Sequence, residues 1–196
     1  MPKQSKYVLY LKKFWNFVWN DDSLLSWIVN VILAFLIVKF LLYPGLGLLL
    51  GTTHPVVAVV SESMEHNPGN FEQWWSGKES QYAEYNIKKE MFEKYKLKNG
   101  FNKGDLVVLT KPKNVKGGDI IVFQSTINNE PIIHRVVFTK EIAGKVTYQT
   151  RGDNNPSSGQ YELIISQEQL IGKAIFKIPY LGWFKLSFMN LFKFIS

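Results

Sequence analysis

Three side chains of this sequence have the chemistry of a hydroxyl nucleophile with its base and an acid. Ser63 lies in the string Ser61-Glu62-Ser63-Met64-Glu65, directly after the apolar run Val56-Val57-Ala58-Val59-Val60. A β-branched run reads as a strand, so the serine stands at a strand end, where a side chain is both held and accessible. A serine hydroxyl is a weak nucleophile unless a neighbouring base takes its proton. His134, in His134-Arg135-Val136, is the candidate base, because imidazole titrates near neutrality. Asp153, in Gly152-Asp153-Asn154-Asn155-Pro156, supplies a carboxylate. Each has a plainer reading: a strand-end serine, a core histidine bonded to backbone, and an aspartate that forms a turn. His54 and His66 are read as loop or interface residues rather than catalytic ones.

The elements that must position these residues follow from the hydropathy pattern. Residues 1–23 carry Lys3, Lys6, Lys12 and Lys13 among Tyr7, Tyr10, Phe14, Trp15 and Trp19, the pattern of an amphipathic segment on a membrane face. Asp21-Asp22-Ser23 offers helix-capping acceptors. Residues 24–43 are almost wholly apolar and long enough to cross the hydrocarbon core, too long for a signal-peptide h-region, with no small-residue cleavage pattern at once after them. Pro44-Gly45 is expected to break or end this helix, and the whole anchor is placed at 24–50. The lysines before the span predict a cytoplasmic N-terminus, with everything after it on the far side of a cell membrane, and a tether that keeps Ser63 near the bilayer.

An extracytoplasmic domain is expected over 51–180. Short apolar runs at 106–109, 120–123, 132–138, 146–150 and 170–176, separated by Gly, Pro, Asn and Lys clusters, read as the strands of a mainly β domain, a barrel or sandwich. Asn128-Asn129 reads as a hairpin tip. Residues 67–100 interrupt the strand pattern with charged, aromatic and helix-favouring residues. They form either a solvated helix whose stripe of Tyr82, Tyr85, Phe92 and Tyr95 packs on the core, or a lid carrying Trp74 and Trp75. Residues 181–196 read as a C-terminal amphipathic helix, interfacial or a second anchor.

Composition narrows the partners. The formal net charge is +7, which suits nucleic acid or an anionic membrane, but no nucleic-acid-binding motif accompanies it, and an aromatic content of 15% with 6 Trp favours the bilayer interface. Cysteine is absent, which excludes disulfides and thiolate metal sites.

Taken in order, the motifs resemble those of the archaeal and endoplasmic-reticulum branch of the type I signal peptidases. The family's boxes look like Ser-X-Ser-Met-Glu after a membrane helix, Gly-Asp-X-X-X-Phe, His-Arg-Val and Gly-Asp-Asn-Asn. This chain shows Ser61 to Glu65, Gly118-Asp119-Ile120-Ile121-Val122-Phe123, His134-Arg135-Val136 and Gly152-Asp153-Asn154-Asn155. The resemblance implies Ser63 as nucleophile, His134 as general base where bacterial relatives use lysine, Asp153 as an active-site carboxylate, and an oxyanion site from Ser61 and the Ser63 backbone N–H. It further implies membrane-bound removal of signal peptides from preproteins after small residues, without metal or organic cofactor, beside the protein-translocation machinery. Two departures stand out. Glu62 replaces the small residue usual between the serines, and Gly159 stands where many relatives carry a second aspartate, so that Asp153 must orient His134 or the site works as a dyad. The alternatives are a membrane-anchored β-domain that binds or scaffolds extracytoplasmic proteins without hydrolysing them, and a self-cleaving regulatory peptidase of related fold.

Overall fold

The structure is a computed structural model that describes residues 5–67, 69–127, 130–184, 186 and 187. It divides into two units, 1–46 and 47–196.

In the first unit, α1 (Lys6–Asn20) and α2 (Leu24–Ile37) are joined by a short capped turn. Ser23 is the N-cap of α2 and accepts from the Ser26 N–H at 3.2 Å, as the Asp-Asp-Ser string predicts. Two polar side chains of α2 reach back to the orphan carbonyls at the end of α1. The Ser26 hydroxyl donates to the Phe17 C=O at 2.7 Å, and the Asn30 amide donates to the Val18 C=O at 2.9 Å. These bonds explain why Ser26 and Asn30 interrupt an otherwise apolar helix.

The helix does not stop at Pro44. A π-helical turn, Val38–Leu42, is followed directly by α3 (Tyr43–Leu50), so that the helical run Leu24–Leu50 extends over 27 residues and is long and apolar enough to cross a membrane. The wide turn is the physical reason. Proline cannot donate to the carbonyl four residues back and its ring clashes there; the π-turn just ahead of Pro44 spreads the backbone and absorbs both effects.

In the second unit the described strands form one antiparallel sheet: β1 (Val56–Ala58), β2 (Leu106–Thr110), β3 (Ile120–Gln124), β4 (Pro131–Ile142), β5 (Lys145–Arg151), β6 (Ile165–Ser166) and β7 (Leu170–Ile178). Their order is β1-β2-β7-β3-β4-β5-β6, so the last of the described strands lies inside the sheet, between β2 and β3. The mainly β expectation matches this sheet; the runs at 106–109, 120–123, 132–138, 146–150 and 170–176 each fall within one of its strands, while the strand read from 56–60 ends at Ala58. It is a single sheet with β1 and β6 at its edges. Asn128-Asn129 and ten of the sixteen residues of the C-terminal helix expected over 181–196 fall outside the described residues; Trp183, Phe184, Leu186 and Ser187 are helical.

Alternation along β3 divides the interior into two faces. Ile120 and Val122 join Val59, Met64, Phe101, Val107, Leu109 and Ala174 on one face. Ile121 and Phe123 join Val136, Tyr148 and Ile165 on the other. Because His134 pairs with Ile121 and Arg135 with Ile120, consecutive residues of β4 face opposite sides.

The insertion is neither one long solvated helix nor an open lid. It forms three short helices, α4 (Phe71–Ser76), α5 (Glu79–Ala83) and α6 (Lys89–Phe92), interrupted by Gly77 and by Asn86 at a φ of +57°. Trp74, Trp75, Tyr82, Ile87 and Phe92 bury one another and Val137 of β4, with Tyr85 and Tyr95 packed alongside. The aromatic stripe is thus the core of a small satellite cluster on the sheet.

Candidate active site

Ser63 stands in a tight turn closed by the Glu65 N–H donating to the Glu62 C=O at 3.1 Å. Three further bonds fix this turn. The Asn154 N–H donates to the Ser63 C=O at 2.8 Å, the Asn154 side-chain amide to the Glu62 C=O at 3.1 Å, and the Phe101 N–H to the Met64 C=O at 3.1 Å. Met64 is fully buried and anchors the turn in the core below it. Gly152 is required by this approach, since a Cβ there would lie 2.8 Å from the Ser63 carbonyl oxygen. The Gly-Asp-Asn-Asn string is therefore the clamp of the Ser-X-Ser-Met-Glu string.

His134 Nε2 lies 3.0 Å from Ser63 Oγ. His134 Nδ1 makes a short hydrogen bond to Glu162 Oε1, and both side chains are buried. Glu162 lies on a 3₁₀ turn, Gln160–Glu162. Its carboxylate is fully engaged: Oε1 also accepts from the Thr150 hydroxyl at 3.1 Å and Oε2 from the Gly159 N–H at 2.7 Å. A carboxylate only accepts, so the proton between it and His134 belongs on Nδ1 and leaves Nε2 free to accept from the serine. Ser61 Oγ lies 3.2 Å from Ser63 Oγ.

Asp153 is elsewhere. Its buried carboxylate accepts from Arg135 Nη2 at 2.6 Å and Nε at 2.9 Å, from the Tyr82 hydroxyl at 2.8 Å, and bonds His66 Nε2 at 2.8 Å. Burial works to raise its carboxyl, but the Arg135 charge and the hydrogen bonds from His66 and Arg135 hold it well below the usual carboxylate range. The expectation that Asp153 orients His134 is corrected by this geometry, because strand alternation puts Arg135 and His134 on opposite faces and Asp153 follows Arg135. His66 lies in an irregular segment, as expected, but it is buried there: its ring stacks on Trp74 at 3.6 Å, with Nδ1 left without a partner. His54 bonds the Thr53 hydroxyl at 2.9 Å and takes no part in the cluster.

Glu162 is the residue that motif reading misses. It lies outside all four boxes, in Gly159-Gln160-Tyr161-Glu162, and only the curl of that turn brings it under β4. Gly159, the place of the absent second aspartate, contributes its backbone N–H to the same carboxylate. A Cβ there would meet the Tyr161 ring at 2.7 Å. Among the described residues no group of three or more His, Cys, Asp or Glu side chains is placed to hold a metal ion.

No family model matches the chain. It is 28% identical over 166 residues to the signal peptidase complex catalytic subunit SEC11 of Schizophyllum commune, covering 73% of this chain and 69% of that protein. It is 27% identical over 150 residues to the signal peptidase complex catalytic subunit SEC11C of Homo sapiens, covering 72% of this chain and 61% of the relative, and 26% identical over 181 residues to SEC11 of Plasmodium falciparum, covering 89% and 78%. With such homologues along most of its length, the chain is a relative of the signal peptidase complex catalytic subunits and resembles the endoplasmic-reticulum and archaeal type I signal peptidases.

Proposed function

We propose that this protein is a membrane-bound serine endopeptidase that removes N-terminal signal peptides from exported preproteins. The observation that carries the reading is the 3.0 Å approach of His134 Nε2 to Ser63 Oγ, with a buried carboxylate on the other ring nitrogen. His134 takes the Ser63 proton as the oxygen attacks the scissile carbonyl, and Glu162 holds the ring in the required tautomer and offsets the imidazolium charge. The Ser63 N–H and the Ser61 hydroxyl receive the oxyanion, a role worth several kcal/mol at comparable sites, on the order of 3–4. His134 then protonates the leaving amine, and water, activated by the same base, releases the acyl group. Asp153 acts as a scaffold for the nucleophile turn.

β1 is an edge strand that leads, through Val59-Val60, into Ser61-Glu62-Ser63. An extended substrate aligned on that edge would gain backbone hydrogen bonds and bring its scissile bond to the serine. Acceptance of small residues before the cut follows the resemblance. The apolar helical run anchors the chain, and the lysines ahead of it orient the N-terminus to the cytoplasm and the catalytic unit outward. The expected neighbours are preproteins, the bilayer and the machinery that delivers preproteins to it.

The test is cleavage of a model preprotein carrying an Ala-X-Ala site by the purified protein in lipid vesicles, across pH 5 to 9. Cleavage should vanish in Ser63→Ala and His134→Ala, both folded. Undiminished cleavage in either variant would overturn the assignment. A folded, inserted protein that neither cleaves nor labels with a serine-reactive probe would instead be a binding domain.

A further inference from the structure

We propose that the insertion over 67–100 is a positioning element for the nucleophile, acting from behind through the turn that holds Ser63. The inference rests on the peptidase reading for its catalytic consequence, and on geometry for the rest.

The Ser63 turn is held by Asn154, which uses both its backbone N–H and its side chain. Asn154 in turn is held by the insertion. Lys78 Nζ donates to the Asn154 C=O at 2.8 Å, and the Tyr82 hydroxyl donates to the neighbouring Asp153 at 2.8 Å. Arg151 joins the same grip. Its Nη2 donates to the Asn155 C=O at 2.6 Å and to the Gln81 side chain, and its guanidinium lies over the Tyr82 ring at 5.4 Å. The strand that carries His134 is gripped from the same side. Arg135 Nη2 donates to the Leu97 C=O at 3.0 Å, and the Arg135 guanidinium lies 4.6 Å from the Phe92 ring centre.

The insertion therefore bonds to both lines of support, the turn behind Ser63 and the strand bearing His134. None of its residues named here touches Ser63 or His134. A buried tyrosine hydroxyl needs a partner, and Tyr82 finds it on the residue before Asn154. Lys78 is half-buried; partial burial and the adjacent Arg151 charge lower its pKa, and its ammonium is held on a backbone carbonyl.

The experiment uses full-length protein in vesicles with Tyr82→Phe, Lys78→Met and Lys78→Arg, and Met91→Ala as an exposed control in the insertion. Three quantities are read: amide hydrogen exchange at Asn154, the rate of Ser63 labelling by a fluorophosphonate, and kcat and KM for the preprotein. Tyr82→Phe and Lys78→Met should each speed Asn154 exchange and slow labelling and kcat by about tenfold, the size of one charge-assisted hydrogen bond, with KM held within about twofold. Lys78→Arg keeps the donor and should restore the rates, and Met91→Ala should match wild type. Unchanged exchange at Asn154 in both variants overturns the proposal, as does a rise in KM alone, which would make the insertion a substrate contact. If exchange responds while wild-type Ser63 does not label, the clamp stands and the peptidase reading falls.

Discussion

Two buried carboxylates lie near the candidate nucleophile, and their surroundings assign them different tasks. Glu162 accepts from an imidazole, a hydroxyl and a backbone N–H and touches no guanidinium, so its charge is available to His134. Glu162→Gln keeps the shape and removes the charge; cleavage should fall by about 10²- to 10⁴-fold in kcat, with the fold retained by circular dichroism. Asp153 instead faces Arg135, so Asp153→Asn leaves a guanidinium buried without its counter-charge and should destabilise the domain by about 3–5 kcal/mol in urea unfolding. The sign of the pH dependence follows. The folded carboxyl is held below its unfolded value of about 3.9, so its contribution is complete above about pH 4 to 5 and is lost as pH falls further. Asn at this position should therefore flatten the acid limb of stability while lowering the plateau at pH 7, as urea midpoints at pH 3 and 7 will report. That Ser63 and His134 come together was legible because each lies in a string whose neighbours have fixed spatial jobs. Glu162 was not, since its role depends on a turn that no local pattern announces.

At the level of elements, the geometry of the candidate site comes from the contact of two turns, one after β1 and one after β5. Gly152 makes that contact possible. Gly152→Ala should force the turns apart by its Cβ and slow Ser63 labelling by more than about tenfold. The strands were readable from their apolar runs and turn residues because each packs one or both faces on a core. The insertion was misjudged for a physical reason. Its apolar residues are aromatics distributed over three helices of four to six residues, too short for any helical period to show, and their burial is satisfied among themselves and against Val137. The anchor's bounds at 24–50 match the helical run, but the break expected at Pro44 does not occur, because a proline rule assumes regular α-helix ahead of it, and here a π-turn stands there.

For the whole chain, the proposed orientation rests on few charges. Replacing Lys3, Lys6, Lys12 and Lys13 with Gln removes the basic excess before the span, and should reduce the fraction of chains whose C-terminal tag resists protease added from the cytoplasmic side. The strand order carries a different consequence. β7, last in sequence, separates β1-β2 from β3-β4-β5-β6, and the nucleophile turn follows the first group while His134 and Glu162 belong to the second. A nascent chain that has emerged only as far as residue 169 thus holds the hydroxyl and its base on two half-sheets that lack their common neighbour. On the peptidase reading proposed above, the order of synthesis then works as a timer: the hydroxyl and its base gain a shared sheet only when β7 joins the two halves.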